Sequence, residues 1–173
     1  MKRQPRRIAV LVSVAALVLL ASACQPRVAP APPPAPAPAA VAASNCGGAN
    51  AVAAQILARA NGARAANGIG PLHWDGQLMC LASSWSRHMA STQAMVHQNL
   101  SAALGQPQYQ RYRTLGENIL RGPAGISADA MHDAWMASPG HRANILSGAF
   151  SSFAAASAIG PDGMIYVAAE FGG

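Results

Sequence analysis

Three polar residues give this sequence its chemical character: His97, Glu117 and His141. Each stands in apolar or tightly turned company. His97 follows Met95 and Val96. Glu117 sits inside Leu115-Gly-Glu-Asn-Ile-Leu120. His141 follows Ser138-Pro139-Gly140 and precedes Ile145 and Leu146. An imidazole acts as a base or binds a metal through one ring nitrogen, and a carboxylate on the other nitrogen fixes its tautomer. Two histidines and a glutamate are therefore the right types for such a cluster. They lie on separate segments, so spacing alone does not join them. Beside apolar residues, a single histidine is more often a structural hydrogen-bonder than a ligand.

The elements that must position these groups are readable in outline. Asn50 is a good N-cap for a helix over Ala51–Asn67, fraying at Gly62 and stopped by Gly68-Ile-Gly-Pro71. Asp75 caps a second helix from Gly76 to about Ser91, where Leu78, Leu81, Trp85 and Met89 form one stripe and Cys80 lies beside it. Residues 93–114 read as loop. Ser127 caps a third helix, with Met131 and Trp135 on one face. Ser138-Pro139-Gly140 is expected to stop that helix, because proline has no amide hydrogen and restrains the residue before it. His141 would then come off a rigid corner. Phe150–Ile159 and Met164–Phe171 flank Gly160-Pro-Asp-Gly163 and read as a hairpin, with Ile165, Val167, Ala169 and Phe171 on one face. Helices come first and the hairpin last, so the expected class is α+β, helices packed on an antiparallel sheet.

Not all of the 173 residues belong to that fold. Residues 1–23 read as a signal peptide. Lys2, Arg3, Arg6 and Arg7 precede an apolar run, Ile8–Leu20, and a small-residue end, Ala21-Ser22-Ala23. The run is short for a membrane span, which needs about 20 residues. Cys24 follows directly and resembles the lipid-modified cysteine of bacterial lipoproteins, although Ala21 stands where a bulky aliphatic residue is usual. Ordinary cleavage leaving a free Cys24 is the alternative. Residues 24–45 read as that cysteine and a Pro/Ala-rich tether, extended at about 3.1 Å per residue. The folded domain is residues 46–173. The expected location is the cell envelope, lipid-anchored to a membrane after export, with secreted or periplasmic as alternatives.

Charge and cysteine content narrow the classes further. The formal net charge is +6, but four of the positive residues leave with the signal segment. Eight arginines and six acidic residues remain, a balance of +2. This is no nucleic-acid footprint. With Cys24 acylated, Cys46 and Cys80 form an even pair in an oxidising compartment, where a disulfide is expected and two buried thiols are the alternative.

The pieces Pro71-Leu-His-Trp-Asp75, Val96-His97, Gly116-Glu-Asn-Ile119 and Trp135-Met-Ala-Ser-Pro-Gly-His-Arg-Ala-Asn-Ile-Leu146 occur in the order seen in bacterial members of the CAP superfamily. This is the SCP/TAPS domain, and the resemblance covers about residues 50–173. It implies an α-β-α sandwich with a cavity lined by two histidines and usually two glutamates. His97, Glu117 and His141 match three of these. The fourth position, three residues after the helix tryptophan, is Ser138, so a carboxylate is missing there. Near the end, Phe153-Ala-Ala-Ala-Ser-Ala158 replaces a Gly-rich strand, and Ala169-Glu170 falls where an amide and an apolar residue are common.

The functional expectation is a non-enzymatic binding module. His97 and His141 would be a zinc-capable pair, with Glu117 orienting one ring. The resemblance implies a divalent metal, or a lipid or other small hydrophobic ligand. An enzyme, a His/Glu or metal-assisted hydrolase, is the second reading, although no Gly-x-Ser-x-Gly elbow supplies a nucleophile. A structural envelope protein with a vestigial cavity is the third. His73, His88 and His132 read as solvated. Arg111-Tyr112-Arg113 reads as a solvated loop that could touch an anionic envelope polymer.

Overall fold

The computed structural model describes residue 46 and residues 50–173. The expected signal segment, Cys24 and the tether lie outside the described residues. Among the described residues, no helix is long and apolar enough to cross a membrane.

Helix α1 spans Ala51–Ala66. The Asn50 side chain accepts from the Ala53 N–H at 2.8 Å, satisfying one of the orphan donors of the first turn. The helix passes Gly62 without a break and closes on Asn67. Its last turn carries Arg64, which is only 1% exposed. The guanidinium is saturated: it donates to the carbonyls of Gly70 (2.7 Å), Ile145 (2.9 Å), Ser147 (2.8 Å) and Phe150 (2.8 Å). A charge is tolerated inside only when its donors are met in this way.

Two residues, His73 and Trp74, form strand β1, and helix α2 follows over Gly76–Thr92. Asp75 caps α2 by accepting from the N–H groups of Gln77 and Leu78. Leu78, Leu81 and Met89 of the expected stripe are buried. Trp85 is half-buried, and its indole donates to the Val96 carbonyl at 2.9 Å. That bond ties down the loop carrying His97. Cys80 of α2 is disulfide-bonded to Cys46, as expected.

The stretch read as loop, 93–114, contains helix α3 (Leu100–Leu104) and a 3-10 turn at Pro107–Tyr109. Five residues are too few to show helical periodicity in sequence. Asn99 nevertheless caps α3, accepting from the Ala102 N–H at 2.9 Å.

Three longer strands follow: β2 (Leu115–Pro123), β3 (Ser152–Ile159) and β4 (Met164–Gly172). The sheet order is β1-β3-β4-β2. β3 and β4 form the expected hairpin, and β2 pairs antiparallel with β4. The short β1 runs parallel to β3, so the sheet is mixed and departs from the all-antiparallel expectation at that edge.

Between β2 and β3 lie helices α4 (Ala128–Ala137) and α5 (Pro139–Ile145). Here the expected helix stop is only half correct. Ser138 ends α4 and at the same time starts α5, with Pro139 in its first turn. Proline's missing N–H costs nothing at a first helical position, so it opens a helix as readily as it ends one. His141 therefore sits on a short helix.

The sheet is covered on both faces. One core holds Ile56, Leu72, Met131, Trp135 and Ile145 against Phe153, Ile165, Val167, Ala169 and Phe171. The other holds Leu78, Met89, Ala103 and Tyr109 against Ala154, Ala156, Tyr166 and Ala168. Helices α1, α4 and α5 thus lie on one side and α2 and α3 on the other: an α-β-α sandwich.

Candidate functional site

Strand β2 lies at one edge of the described sheet, and it carries the Gly116-Glu-Asn118 motif. Each residue of the motif has a distinct physical reason. A Cβ on Gly116 would meet the Phe150 ring at 2.7 Å, so only glycine fits without displacing that ring. Asn118 is fully buried and bonded at both ends of its amide. Its Nδ2 donates to the His141 carbonyl at 3.0 Å, and its Oδ1 accepts from Asn144 Nδ2 at 2.9 Å. Asn144 Nδ2 also donates to the Glu117 carbonyl at 3.0 Å. The Trp135 indole donates to the Ile119 carbonyl at 3.0 Å. These bonds lash α4 and α5 to β2. Arg64 secures the far end of α5 through the carbonyls described above.

Those lashings bring the sequence-predicted groups together. His97 Nδ1 lies 2.6 Å from Glu117 Oε1. The His97 side chain is 57% exposed and that of Glu117 only 1%, so the carboxylate stands behind the ring, away from solvent. The rings of His97 and His141 have centroids 6.3 Å apart, tilted by 45°. Burial, and then the neighbouring His97, lower the His141 pKa below the usual histidine range, which favours a neutral imidazole. Ser138 is half-buried at the α4–α5 junction, and among the described residues its hydroxyl bonds to none of the three.

Two residues that bond into the cluster escape a reading of motifs. Gln98 donates through Nε2 to Glu117 Oε2 at 2.9 Å and to Glu170 Oε1 at 2.6 Å, and its backbone N–H donates to Glu117 Oε1 at 3.2 Å. Glu170 of β4 is wholly buried and lies directly opposite Glu117 in the β2–β4 ladder. The signal was available: a carboxylate on a strand of otherwise apolar residues, alternating in phase with Tyr166 and Ala168. Desolvation by burial, and then the neighbouring Glu117, raise the Glu170 pKa well above the carboxylate range.

The remaining candidates fall outside the cluster. His73 is exposed, and His88 is exposed and stacked on Trp85 at 4.6 Å. His132, read from sequence as solvated, is buried, because α4 turns it inward beside Met131. Arg111 is engaged locally: it pairs with Asp75, donates to the Tyr112 hydroxyl at 2.5 Å and lies over the Tyr112 ring.

The chain matches the model of the cysteine-rich secretory protein (CAP) family over residues 57–171. It belongs to that family. No curated protein matches the chain in sequence. Among solved structures, the CAP domain is similar to an outer surface protein from Borrelia burgdorferi (TM-score 0.56, 14% identity, covering 68% of this chain and 88% of that one). It is similar to an extracellular protein containing an SCP domain from Bacillus anthracis (TM-score 0.54, 25% identity, 69% of this chain and 39% of that one). It also resembles NaASP2, solved with Zn2+ (TM-score 0.50, 14% identity, 70% and 80%). The Bacillus protein is thus much longer than the part shared.

Chemically, the cluster offers two imidazoles toward a ligand, with the buried carboxyls of Glu117 and Glu170 behind. Among the described residues, no three His, Cys, Asp or Glu side chains are arranged to hold a metal ion together. A site using protein ligands would have two, both nitrogen.

Proposed function

We propose that this CAP domain is an exported, non-enzymatic binding module, and that His97 and His141 bind a divalent cation, zinc by preference. The observation that carries the reading is the His97–Glu117 pair at 2.6 Å. With Nδ1 committed to a buried carboxylate, Nε2 is the nitrogen left for a ligand. This is the carboxylate–imidazole arrangement that orients metal-bound histidines. The lowered pKa of His141 adds a second imidazole that need not lose a proton to bind.

The residues fit zinc as an open site. Two imidazoles on one tetrahedral zinc, with bonds of about 2.0–2.1 Å, put their ring centres roughly 5 Å apart. The observed distance is 6.3 Å, so the two rings would have to close on the ion. Bound, zinc would supply a Lewis-acid centre completed by water or an external ligand. The resemblance to a structure solved with Zn2+ supports the same reading.

A second reading rests on Met95 and Val96, which are 51% and 48% exposed immediately before His97. Such side chains beside a polar cluster suit a small hydrophobic ligand such as a lipid. Export is supported by relatives described as outer-surface and extracellular. Lipid anchoring at Cys24 is part of the same proposal, and mass spectrometry of the mature N-terminus tests it.

Zinc titration by calorimetry tests the main reading. The domain from Cys46 to Gly173 is expected to bind with a stoichiometry of one, and His97→Ala and His141→Ala each to abolish the heat. Absence of binding in the parent domain sinks the zinc proposal. Turnover of a peptide, glycan or lipid panel that disappears in Glu117→Ala would replace the binding module with a hydrolase.

A further inference from the structure

Glu170 is a wholly buried acid that the His97–Glu117–His141 reading does not use. It is 0% exposed, in a strand whose neighbours are apolar. The only nitrogen donor to its carboxyl among the described residues is Gln98 Nε2, at 2.6 Å from Oε1. Oε2 is buried and has no nitrogen donor among the described residues. Glu117, directly across the ladder, is served very differently. His97 Nδ1 and the Gln98 N–H reach its Oε1, and Gln98 Nε2 reaches its Oε2.

This inequality decides which carboxyl keeps a proton. Two carboxylates cannot both stay ionised in one dry site without a cation between them. The donors converge on Glu117, and the donor-free oxygen belongs to Glu170. An unpaired buried carboxylate oxygen is costly, whereas a carboxylic acid O–H aimed at its neighbour satisfies both groups.

We propose that Glu170 is a positioning residue of the site, held as a neutral carboxylic acid that donates to Glu117 and so fixes Glu117 as the acceptor for His97. The second carboxyl of the cluster is thereby supplied from β4, at a position unrelated to Ser138. The pair carries one negative charge behind the imidazole. Facing Glu170 are Glu117 from β2, Gln98 from the His97 loop and Tyr109, whose hydroxyl pKa is raised first of all by burial. None of these is a cation that could neutralise a second carboxylate. The assignment goes beyond the metal reading and stands whether or not the imidazoles bind zinc.

The test is infrared spectroscopy of the purified, metal-free protein at neutral pH, comparing wild type, E170Q and E117Q. Wild type is expected to show the C=O stretch of a protonated, buried carboxylic acid. E170Q is expected to lose it and E117Q to keep it. Absence of the band in wild type overturns the proposal, and so does a band that survives E170Q but vanishes in E117Q. The positioning role is read by nuclear magnetic resonance of the His97 Nδ1–H. This resonance is expected to be retained in E170Q, whose amide N–H can replace the acid O–H, and lost or shifted in E170L. A His97 signal identical in wild type and folded E170L would overturn the positioning role. Zinc calorimetry on the same samples separates the two proposals, since the infrared outcome does not depend on it.

Discussion

Asn118 donates its side-chain amide to the backbone carbonyl of His141 at 3.0 Å, and this single bond sets the first turn of α5 against strand β2. The same amide accepts from Asn144. Asn118→Ala therefore takes this donor from the His141 carbonyl and leaves the half-buried Asn144 amide with the Glu117 carbonyl alone. The expected cost is about 2–3 kcal/mol, measured as a drop in unfolding free energy in urea. Zinc affinity is expected to fall as well, because His141 loses its fixed height relative to His97.

Arg64 invites a sharper test. Replacing it with methionine keeps the stem volume and takes the guanidinium donors from the carbonyls of Gly70, Ile145, Ser147 and Phe150, of which Ser147 keeps the Phe150 N–H. A loss of at least about 3 kcal/mol is expected. Arg64→Lys is not expected to rescue it, since one ammonium cannot match the spread of the guanidinium fork. Urea midpoints for the three proteins decide the matter.

Two groups impose opposite pH dependences on stability. His141 has a lowered pKa in the folded chain, so below its ordinary value of 6.5 the unfolded chain binds the extra proton first. Its contribution is present above pH 6.5 and is lost as pH falls through the lower, folded value. Glu170 has a raised pKa. Above its ordinary value of 4.5 the unfolded chain releases a proton that the folded chain keeps, so the contribution present below pH 4.5 is lost as pH rises toward the folded value. E170Q removes the second effect. Its stability relative to wild type is expected to improve steadily as pH rises above 4.5, and chemical denaturation at a series of pH values checks the slope.

The disulfide closes a loop with a sequence separation of 34. In the chain-entropy model such a loop is worth about 3–4 kcal/mol. Thermal unfolding with and without reductant is expected to show that loss. Cys46→Ser and Cys80→Ser should each match the reduced protein, and a variant equal to the oxidised protein would contradict the model.

Much of this architecture is legible in the sequence because it follows from local rules. Asn50, Asp75 and Ser127 announce helix starts with a cap each, and the alternation Ile165, Val167, Ala169, Phe171 marks the face turned to one core. The motif residues His97, Glu117 and His141 are legible as a group through resemblance alone, since nothing local brings them together. Pro139 misleads as a stop because the same ring suits a first helical turn. Gln98 and Glu170 escape for a different reason. Their meaning depends on β2 and β4 standing side by side in a particular register, and on a loop folding over that pair. No window along the chain contains both partners. His132 misleads because a face defined by Met131 and Trp135 alone is narrower than the buried face of a helix clamped between neighbours.

The bond between Cys46 and Cys80 also defines a load path. Cys46 precedes α1 in the chain, while Cys80 lies in the helix that packs across β3 and β4. Tension arriving along the chain from ahead of Cys46 would therefore be delivered to α2 and spread into the sheet. Helix α1, with the Arg64 anchor and everything it steadies around His141, would sit in parallel with that route and be spared the strain. Reduction of the disulfide would reroute the pull through α1, and the histidine cluster would be the part of the molecule that feels it.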